Sequence, residues 1–289
     1  MTCAECTRIY TTGTALVDVA SDGTTIYVRS GDGTVSSVAT DGSLTTIASS
    51  TTGMTSIPGG VAYVSASSSV VHAHELVGST DRLLGSVAGS VVAPKRFVAG
   101  TATDVYVLGA EGSLWRFARA TTNTVPVLVA TTSPGSGLAV GTTAAAWQDG
   151  RVETTGIPGP SQPVSYDCTS VELAYLGDTL FAYTAGLVTS HTTLYRIASI
   201  PSGASVFTVA VTNSSQYISI DELTGSSDHV FYREISHPDQ PFGELNMATA
   251  GPNYGELVVL STSWFSNVLA VTPGYVYGLE GSTVDVLAR

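Results

Sequence analysis

A short strand motif centred on an aromatic residue recurs along the chain and constrains its fold more than any other feature. Consecutive aromatic positions are separated by about 42 residues on average, which is the length of a four-stranded repeat unit. No helical periodicity over ten or more residues accompanies the motif. The sequence therefore predicts a repetitive all-β fold. The seven copies are Ile26-Tyr27-Val28, Ala62-Tyr63-Val64, Val105-Tyr106-Val107, Ala146-Trp147-Gln148, Leu180-Phe181-Ala182, Val230-Phe231-Tyr232 and Val276-Tyr277-Gly278.

The first repeat shows how each unit divides into strands. Runs rich in β-branched residues alternate with turns that contain Asp and Gly, such as Ser21-Asp22-Gly23 and Asp41-Gly42-Ser43. Glycine supplies the positive φ that tight hairpins need at low steric cost. We expect four hairpin-connected strands, which make one blade of a propeller. They are Ala15–Ala20, Thr24–Ser30, Thr34–Thr40 and Leu44–Ser50.

The two ends of the chain predict how the ring closes. The last repeat contains only three strands, Val268–Val271, Tyr275–Leu279 and Thr283–Leu287, although a blade needs four. The segment Thr7–Thr12 precedes the first repeat and belongs to no complete unit. Pairing Thr7–Thr12 with Thr283–Leu287 removes two exposed strand edges at once. We predict a single all-β domain over residues 1–289, a seven-bladed β-propeller whose last blade is completed by the N-terminal strand. Its blades are expected at about residues 14–52, 53–92, 93–134, 135–168, 169–213, 214–265, and 266–289 with 7–13.

Composition excludes several classes of function. The chain has 289 residues, 43% hydrophobic and 12% charged, and its apolar runs are only as long as strands. A membrane-spanning helix needs about 20 apolar residues, so we expect a soluble protein without membrane insertion. The net charge of −12 disfavours a polyphosphate partner, and we expect no nucleic acid binding.

Three cysteines, Cys3, Cys6 and Cys168, leave at least one thiol unpaired within a monomer. Cys3-Ala4-Glu5-Cys6 lacks both the second pair of ligands that a zinc site needs and the histidine of a haem-attachment motif, so we expect no cofactor. The composition is rich in Ser and Thr and contains a single lysine, Lys95. It is typical of an exported bacterial protein whose targeting segment is absent here, and we expect an extracellular, periplasmic or cell-surface location.

The segment Val17-Asp18-Val19-Ala20-Ser21-Asp22-Gly23-Thr24-Thr25-Ile26-Tyr27-Val28 resembles the repeats of bacterial NHL- and YVTN-type propellers. The seventh repeat, Val268–Tyr277, is similar to them as well. This resemblance implies a propeller fold. The superfamily includes binding modules, scaffolds and a few enzymes, lyases among them, so the fold alone does not give the function.

Three carboxylates are candidate ligand-binding groups near the axis. Asp18 and Glu172 each lie nine residues before their anchor aromatic, and Asp221 has a similar position with a longer first turn. These spacings predict innermost strands beside the central channel. Carboxylates there need hydration or hydrogen bonds, from channel water or backbone N–H groups; a hydrated cation is the alternative.

Two loops carry the candidate catalytic groups. His237 and Asp239 lie in the long connection Ser236–Gly243, and His191 lies in the corresponding connection of the preceding repeat. Equivalent hairpins open on one face of a propeller, so an acid or base role for these groups is one hypothesis. Phe242 is the contact residue if the loop is a recognition surface.

Two function classes remain open. The first is a non-catalytic binding or scaffold module for a protein or glycan, whose exposed face would present Trp264 and Phe265. The second is a lyase- or hydrolase-like enzyme with a polar site at the axis. His72 and His74 share one face of a predicted third strand, the geometry of a two-histidine metal pair. Because that strand lies away from the axis, we interpret them as a solvated strand face and expect no metal site.

Overall fold

The fold consists of short antiparallel strands. The computed structural model describes residues 4–66, 70–90, 97–131, 135–148, 151–159, 163–166, 172–184, 193–198, 205–211, 219–226, 229–235, 243–249, 257–264 and 269–289. Within these residues every regular element is a strand, and no helix is long and apolar enough to cross a membrane.

The first nine strands are β1 (Arg8–Thr11), β2 (Leu16–Ser21), β3 (Ile26–Ser30), β4 (Val35–Val38), β5 (Leu44–Ala48), β6 (Thr51–Ile57), β7 (Gly60–Ala66), β8 (Val70–Val77) and β9 (Thr80–Ala88). They are followed by β10 (Val98–Gly100), β11 (Asp104–Leu108), β12 (Ser113–Ala118), β13 (Val127–Thr131), β14 (Ser136–Val140), β15 (Ala144–Gln148), β16 (Val152–Gly156) and β17 (Val164–Tyr166). The remaining strands are β18 (Glu172–Leu176), β19 (Thr179–Thr184), β20 (Thr193–Ala198), β21 (Ser205–Val211), β22 (Ser219–Gly225), β23 (His229–Ile235), β24 (Gly243–Thr249), β25 (Leu257–Trp264), β26 (Leu269–Val271), β27 (Tyr275–Glu280) and β28 (Thr283–Ala288).

Among the described residues these strands form seven four-stranded sheets. Six sheets use four consecutive strands, and the last has the order β1-β28-β27-β26. The innermost strand of each sheet packs against the innermost strand of the next. In the last sheet this strand is β26, which contacts both β22 and β2, so the contacts return to their starting point. Each sheet is therefore a blade of a ring, which confirms the predicted all-β propeller.

The N-terminal strand completes the last blade, as the chain ends predict. Arg8 pairs with Val286 and Thr11 with Thr283 in an antiparallel register. The backbone N–H of Thr7 donates to the carbonyl of Val286 at 2.7 Å, and Tyr10 is buried. Residues from opposite ends of the sequence thus share one sheet and leave no unpaired edge on β28.

The core lies between neighbouring blades. All seven anchor aromatics are on the second strand of a blade and are at most 3% exposed. Tyr27, for example, packs against Met54 and Tyr63 of the next blade. The aromatic repeats because each blade needs one large apolar side chain to fill the wedge to its neighbour.

Glycines are required where neighbouring elements approach closely. A Cβ atom at Gly225 would lie 1.9 Å from the carbonyl oxygen of Tyr175 on the preceding inner strand, so only glycine fits there. At the β3–β4 hairpin, Gly33 has a φ of +83° and its added Cβ would meet the backbone of Thr51. The Asp-Gly turns therefore serve contacts between blades as well as hairpins.

Candidate functional site

A cavity of about 550 Å³ is surrounded by the innermost strands of the described sheets, which are β2, β6, β10, β14, β18, β22 and β26. Its volume is within the range of ligand pockets, roughly 300–1,000 Å³. The wall combines apolar side chains, which include Val17, Met54, Phe97, Leu138 and Leu173, with a similar amount of polar surface. Every one of these sheets therefore contributes to the central channel.

Asp18 lies on innermost strand β2 and lines the channel, where the sequence spacing predicts it. Its Oδ1 accepts a hydrogen bond from the backbone N–H of Val19 at 3.0 Å. Its Oδ2 lies 3.8 Å from Nε of Arg29, the opposite residue on β3. Nε of Arg29 is buried and has no hydrogen-bond acceptor among the described residues. The channel wall thus carries an ion pair whose guanidinium nitrogen is incompletely satisfied.

Glu172 and Asp221 also lie on innermost strands. Glu172 begins β18 and pairs with Tyr183, but it does not line the described part of the channel cavity. Asp221 lies on β22 opposite Arg233, and the register shifts between Asp221 and Thr224. The structure therefore places Asp18 at the channel wall, and the ligand-binding role of all three carboxylates stays a prediction.

A second cavity of about 710 Å³ forms a recess on one face of the ring. Turns that follow the first strands of four consecutive blades contribute Thr101, Thr142, Gly177 and Ser226. Val140, Tyr175 and Gly225 line both the recess and the channel. The recess and the channel therefore share part of their walls.

The wall of the recess combines hydroxyl, carboxylate and aromatic groups. Asp104 accepts a hydrogen bond from Oγ1 of Thr103 at 2.7 Å, and its Oδ1 lies 3.6 Å from Nε of Arg116. Burial, reinforced by the charge of Asp104, raises the pKa of Tyr106 to about 12. Burial also raises the pKa of Tyr175 above its ordinary value, and its hydroxyl has no hydrogen-bond partner among the described residues. Both phenols are therefore neutral near pH 7.

The prediction that an exposed binding face presents Trp264 is wrong. Its side chain is fully buried at the end of β25 and packs against Phe231, Val276 and Leu287, between the last two blades. It cannot form part of an exposed binding face, because it fills the same kind of wedge as the anchor aromatics.

The remaining predicted site residues lie outside the described residues. These are His191, His237, Asp239, Phe242 and Phe265. In the part of the chain that the structure describes, no group of three or more His, Cys, Asp and Glu side chains is arranged to hold a metal ion.

The sequence analysis missed a buried charge cluster between the second and third blades. Glu75 on β8 is fully buried and contacts Arg82, while its Oε2 accepts a hydrogen bond from Nε of Arg119 at 2.7 Å. Arg119 also donates to the carbonyl of Pro58, so one guanidinium links the two blades. The only signal for this cluster in the sequence is Glu75 itself, which alternation along the strand places on the opposite face from His74.

Comparisons with known proteins identify the fold. No family model matches the chain, and no curated protein sequence matches it. The structure is similar to that of BamB from Moraxella catarrhalis, with a TM-score of 0.60, 13% identity, and coverage of 96% of this chain and 86% of that one. It is also similar to a chain in the mitotic checkpoint complex, with a TM-score of 0.65, 12% identity, and coverage of 98% and 95%.

The Cps50 (Swd1) β-propeller domain of Myceliophteria thermophila gives a TM-score of 0.66 at 11% identity, covering 98% of this chain and 99% of that domain. Identities this low show a common fold and nothing further about activity. The blades, the ring contacts and these similarities together show that the chain has a β-propeller fold.

Proposed function

We propose that this protein is an exported, non-catalytic binding or scaffold module that holds a protein or glycan on the recess face. The observation that supports the proposal is the continuity between the recess and the channel through Val140, Tyr175 and Gly225. A concave, mostly apolar surface with a few polar groups suits recognition of a protruding segment or sugar.

The chemistry of the recess supports the same function. Thr142 is exposed at its rim, and Thr101, Thr103 and Asp104 line its wall. These groups form hydrogen bonds with peptide amides or sugar hydroxyls, so the ligand does not need a net charge. One similar structure comes from the mitotic checkpoint complex, which is consistent with a propeller that works in an assembly.

A disulfide at Cys6 supports the proposed location. Disulfides persist in oxidising compartments such as the periplasm and the cell exterior. Alkylation of the protein from its native host, followed by mass spectrometry, should show Cys6 oxidised. A fully reduced Cys6 in freshly lysed cells would contradict export.

The binding proposal can be tested by blocking the recess. Thr142→Arg places a long cation at the rim, and Thr45→Arg places the same side chain on exposed strand β5, away from the recess. Both proteins are screened with the wild type against a glycan array and by cross-linking in native culture fractions. We expect one partner, retained by the wild type and Thr45→Arg but lost with Thr142→Arg.

Equal retention by all three proteins would show that the recess is not the binding surface. The non-catalytic part is tested separately with ester, glycoside and polyuronate substrates. Turnover that disappears with His237→Ala would overturn that part and favour the enzyme hypothesis.

A further inference from the structure

His72 and His74 project from one face of β8, the third strand of the second blade. Residues two apart on a strand lie on the same side, separated by about 7 Å along the strand. Cross-strand register places His72 opposite Ser86 and His74 opposite Tyr63. Both histidines are partly buried, between strands β7 and β9.

Polar groups lie near the same nitrogen, Nδ1, of the two rings, and His72 makes a hydrogen bond there, whereas Nδ1 of His74 has no hydrogen-bond partner among the described residues. Nδ1 of His72 lies 2.7 Å from Oγ of Ser86. Nδ1 of His74 lies 3.9 Å from Oδ1 of Asp81, which is held in place by a 2.7 Å hydrogen bond from the hydroxyl of Tyr63. Metal-binding histidines usually have this arrangement, in which one ring nitrogen faces a hydroxyl or carboxylate and the other ligates.

The ring of His74 is also fixed in orientation. It stacks on Tyr63 with ring centroids 5.0 Å apart and an angle of 7° between the planes. A stacked ring loses little further side-chain entropy when it binds a ligand. Its side chain is 24% exposed, so the site remains open to solvent.

The outer nitrogens of both rings are available. Among the described contacts, neither Nε2 of His72 nor Nε2 of His74 takes part in a hydrogen bond. Imidazole ligates a metal ion through such a nitrogen in its neutral form.

We propose that His72 and His74 form a two-histidine site for a divalent transition-metal ion, Cu²⁺ or Zn²⁺, bound through the two Nε2 atoms. Water or an external ligand completes the coordination shell, because no third His, Cys, Asp or Glu joins the pair among the described residues. Imidazole pairs prefer Cu²⁺ over Zn²⁺ and bind both better than Mg²⁺ or Ca²⁺. The site lies on the side of a blade, so it is independent of the recess.

The test uses the full chain, CuSO₄ and ZnCl₂ as probes, and isothermal titration with Cu²⁺ electron paramagnetic resonance. The variants are His72→Ala, His74→Ala and Ser86→Ala, and the control is His229→Ala on β23, whose Nδ1 already contacts Arg289. Circular dichroism and melting temperature establish that each variant is folded.

We expect one equivalent of Cu²⁺ with nitrogen couplings from two imidazoles. Each histidine substitution should weaken binding by more than 100-fold, whereas Ser86→Ala should weaken it by roughly 10-fold, the effect of losing a partner of a ligating ring. His229→Ala should bind like the wild type. The proposal is overturned if the wild type binds neither ion at millimolar concentration, or if both histidine variants retain its affinity and spectrum.

Discussion

Asp285 should make the stability of the ring depend on pH. It lies on β28 opposite Ile9 and Gly278, within the blade that joins the two ends of the chain. Only 1% of its surface is exposed, and its Oδ2 has no hydrogen-bond partner among the described residues. Burial, with a smaller contribution from Glu280, raises the pKa of Asp285 to about 6.

Proton binding by Asp285 determines the direction and size of the change in unfolding free energy with pH. A carboxyl with a pKa above its ordinary 3.8 binds its proton more tightly in the folded state. Its contribution to stability is therefore complete below about pH 4 and is lost as the pH rises to about 6. One pKa unit corresponds to about 1.4 kcal/mol, so the loss is about 3 kcal/mol.

Asp285→Asn removes the titration while keeping the shape of the side chain. Any cost of the new amide is the same at every pH, so the informative quantity is how the difference from wild type changes with pH. We expect the variant to gain about 3 kcal/mol relative to wild type between pH 4 and pH 7.5. Urea unfolding at both pH values measures this change.

Asp41→Asn is a control of opposite sign. The Asp41 carboxylate accepts a hydrogen bond from the backbone N–H of Ser43 at 2.9 Å, and hydrogen bonds to Ser43 lower its pKa. Removing it should therefore destabilise the protein more at pH 7.5 than at pH 4. If the difference between Asp285→Asn and wild type is the same at both pH values, Asp285 is not the buried acid described here.

Four further outcomes are expected. Deleting residues 1–13 removes β1 and exposes the edge of β28, so the melting temperature should fall sharply; an unchanged value would contradict closure by the N-terminal strand. Glu75→Gln should cost about 3 kcal/mol in urea unfolding, since it leaves two arginines facing a neutral amide, and a stability equal to wild type would refute this ion cluster. Trp264→Ala should cost roughly 3–5 kcal/mol in the same assay, whereas an exposed side chain would cost almost nothing. Peptide mapping should find no link between Cys168 and Cys6 within one monomer, because they flank strands of different blades; such a link would disprove the strand assignment.

The features that could be predicted from sequence are those set by spacing within one repeat. The anchor aromatics recur because every blade fills the same wedge, and the positions of Asp18 and Glu172 follow from a fixed distance to Tyr27 and Phe181. Closure by β1 follows from counting strands at the two ends. Each of these inferences requires only the strand period and the hairpin order.

Burial between blades could not be predicted in this way. Trp264 is the last residue of outer strand β25, where side chains are often exposed. Two register shifts between β24 and β25 precede it, and its side chain packs against the next blade. Glu75 looks like a solvated charge until Arg119, 44 residues away, folds over it. Such contacts depend on how adjacent blades pack, and no periodicity within a single blade encodes them.

The histidine pair depends both on the sequence pattern of one strand and on contacts with the neighbouring strands. Alternation along β8 places His72 and His74 on one face, and the sequence alone favours a solvated surface because it shows no further ligand. The register with β9 and β7 brings Ser86, Asp81 and Tyr63 to the rings. The hydrogen bond between Nδ1 of His72 and Ser86 leaves Nε2 of that ring for a ligand, and stacking on Tyr63 fixes the ring of His74; a metal pair benefits from both contacts, whereas a solvated face needs neither.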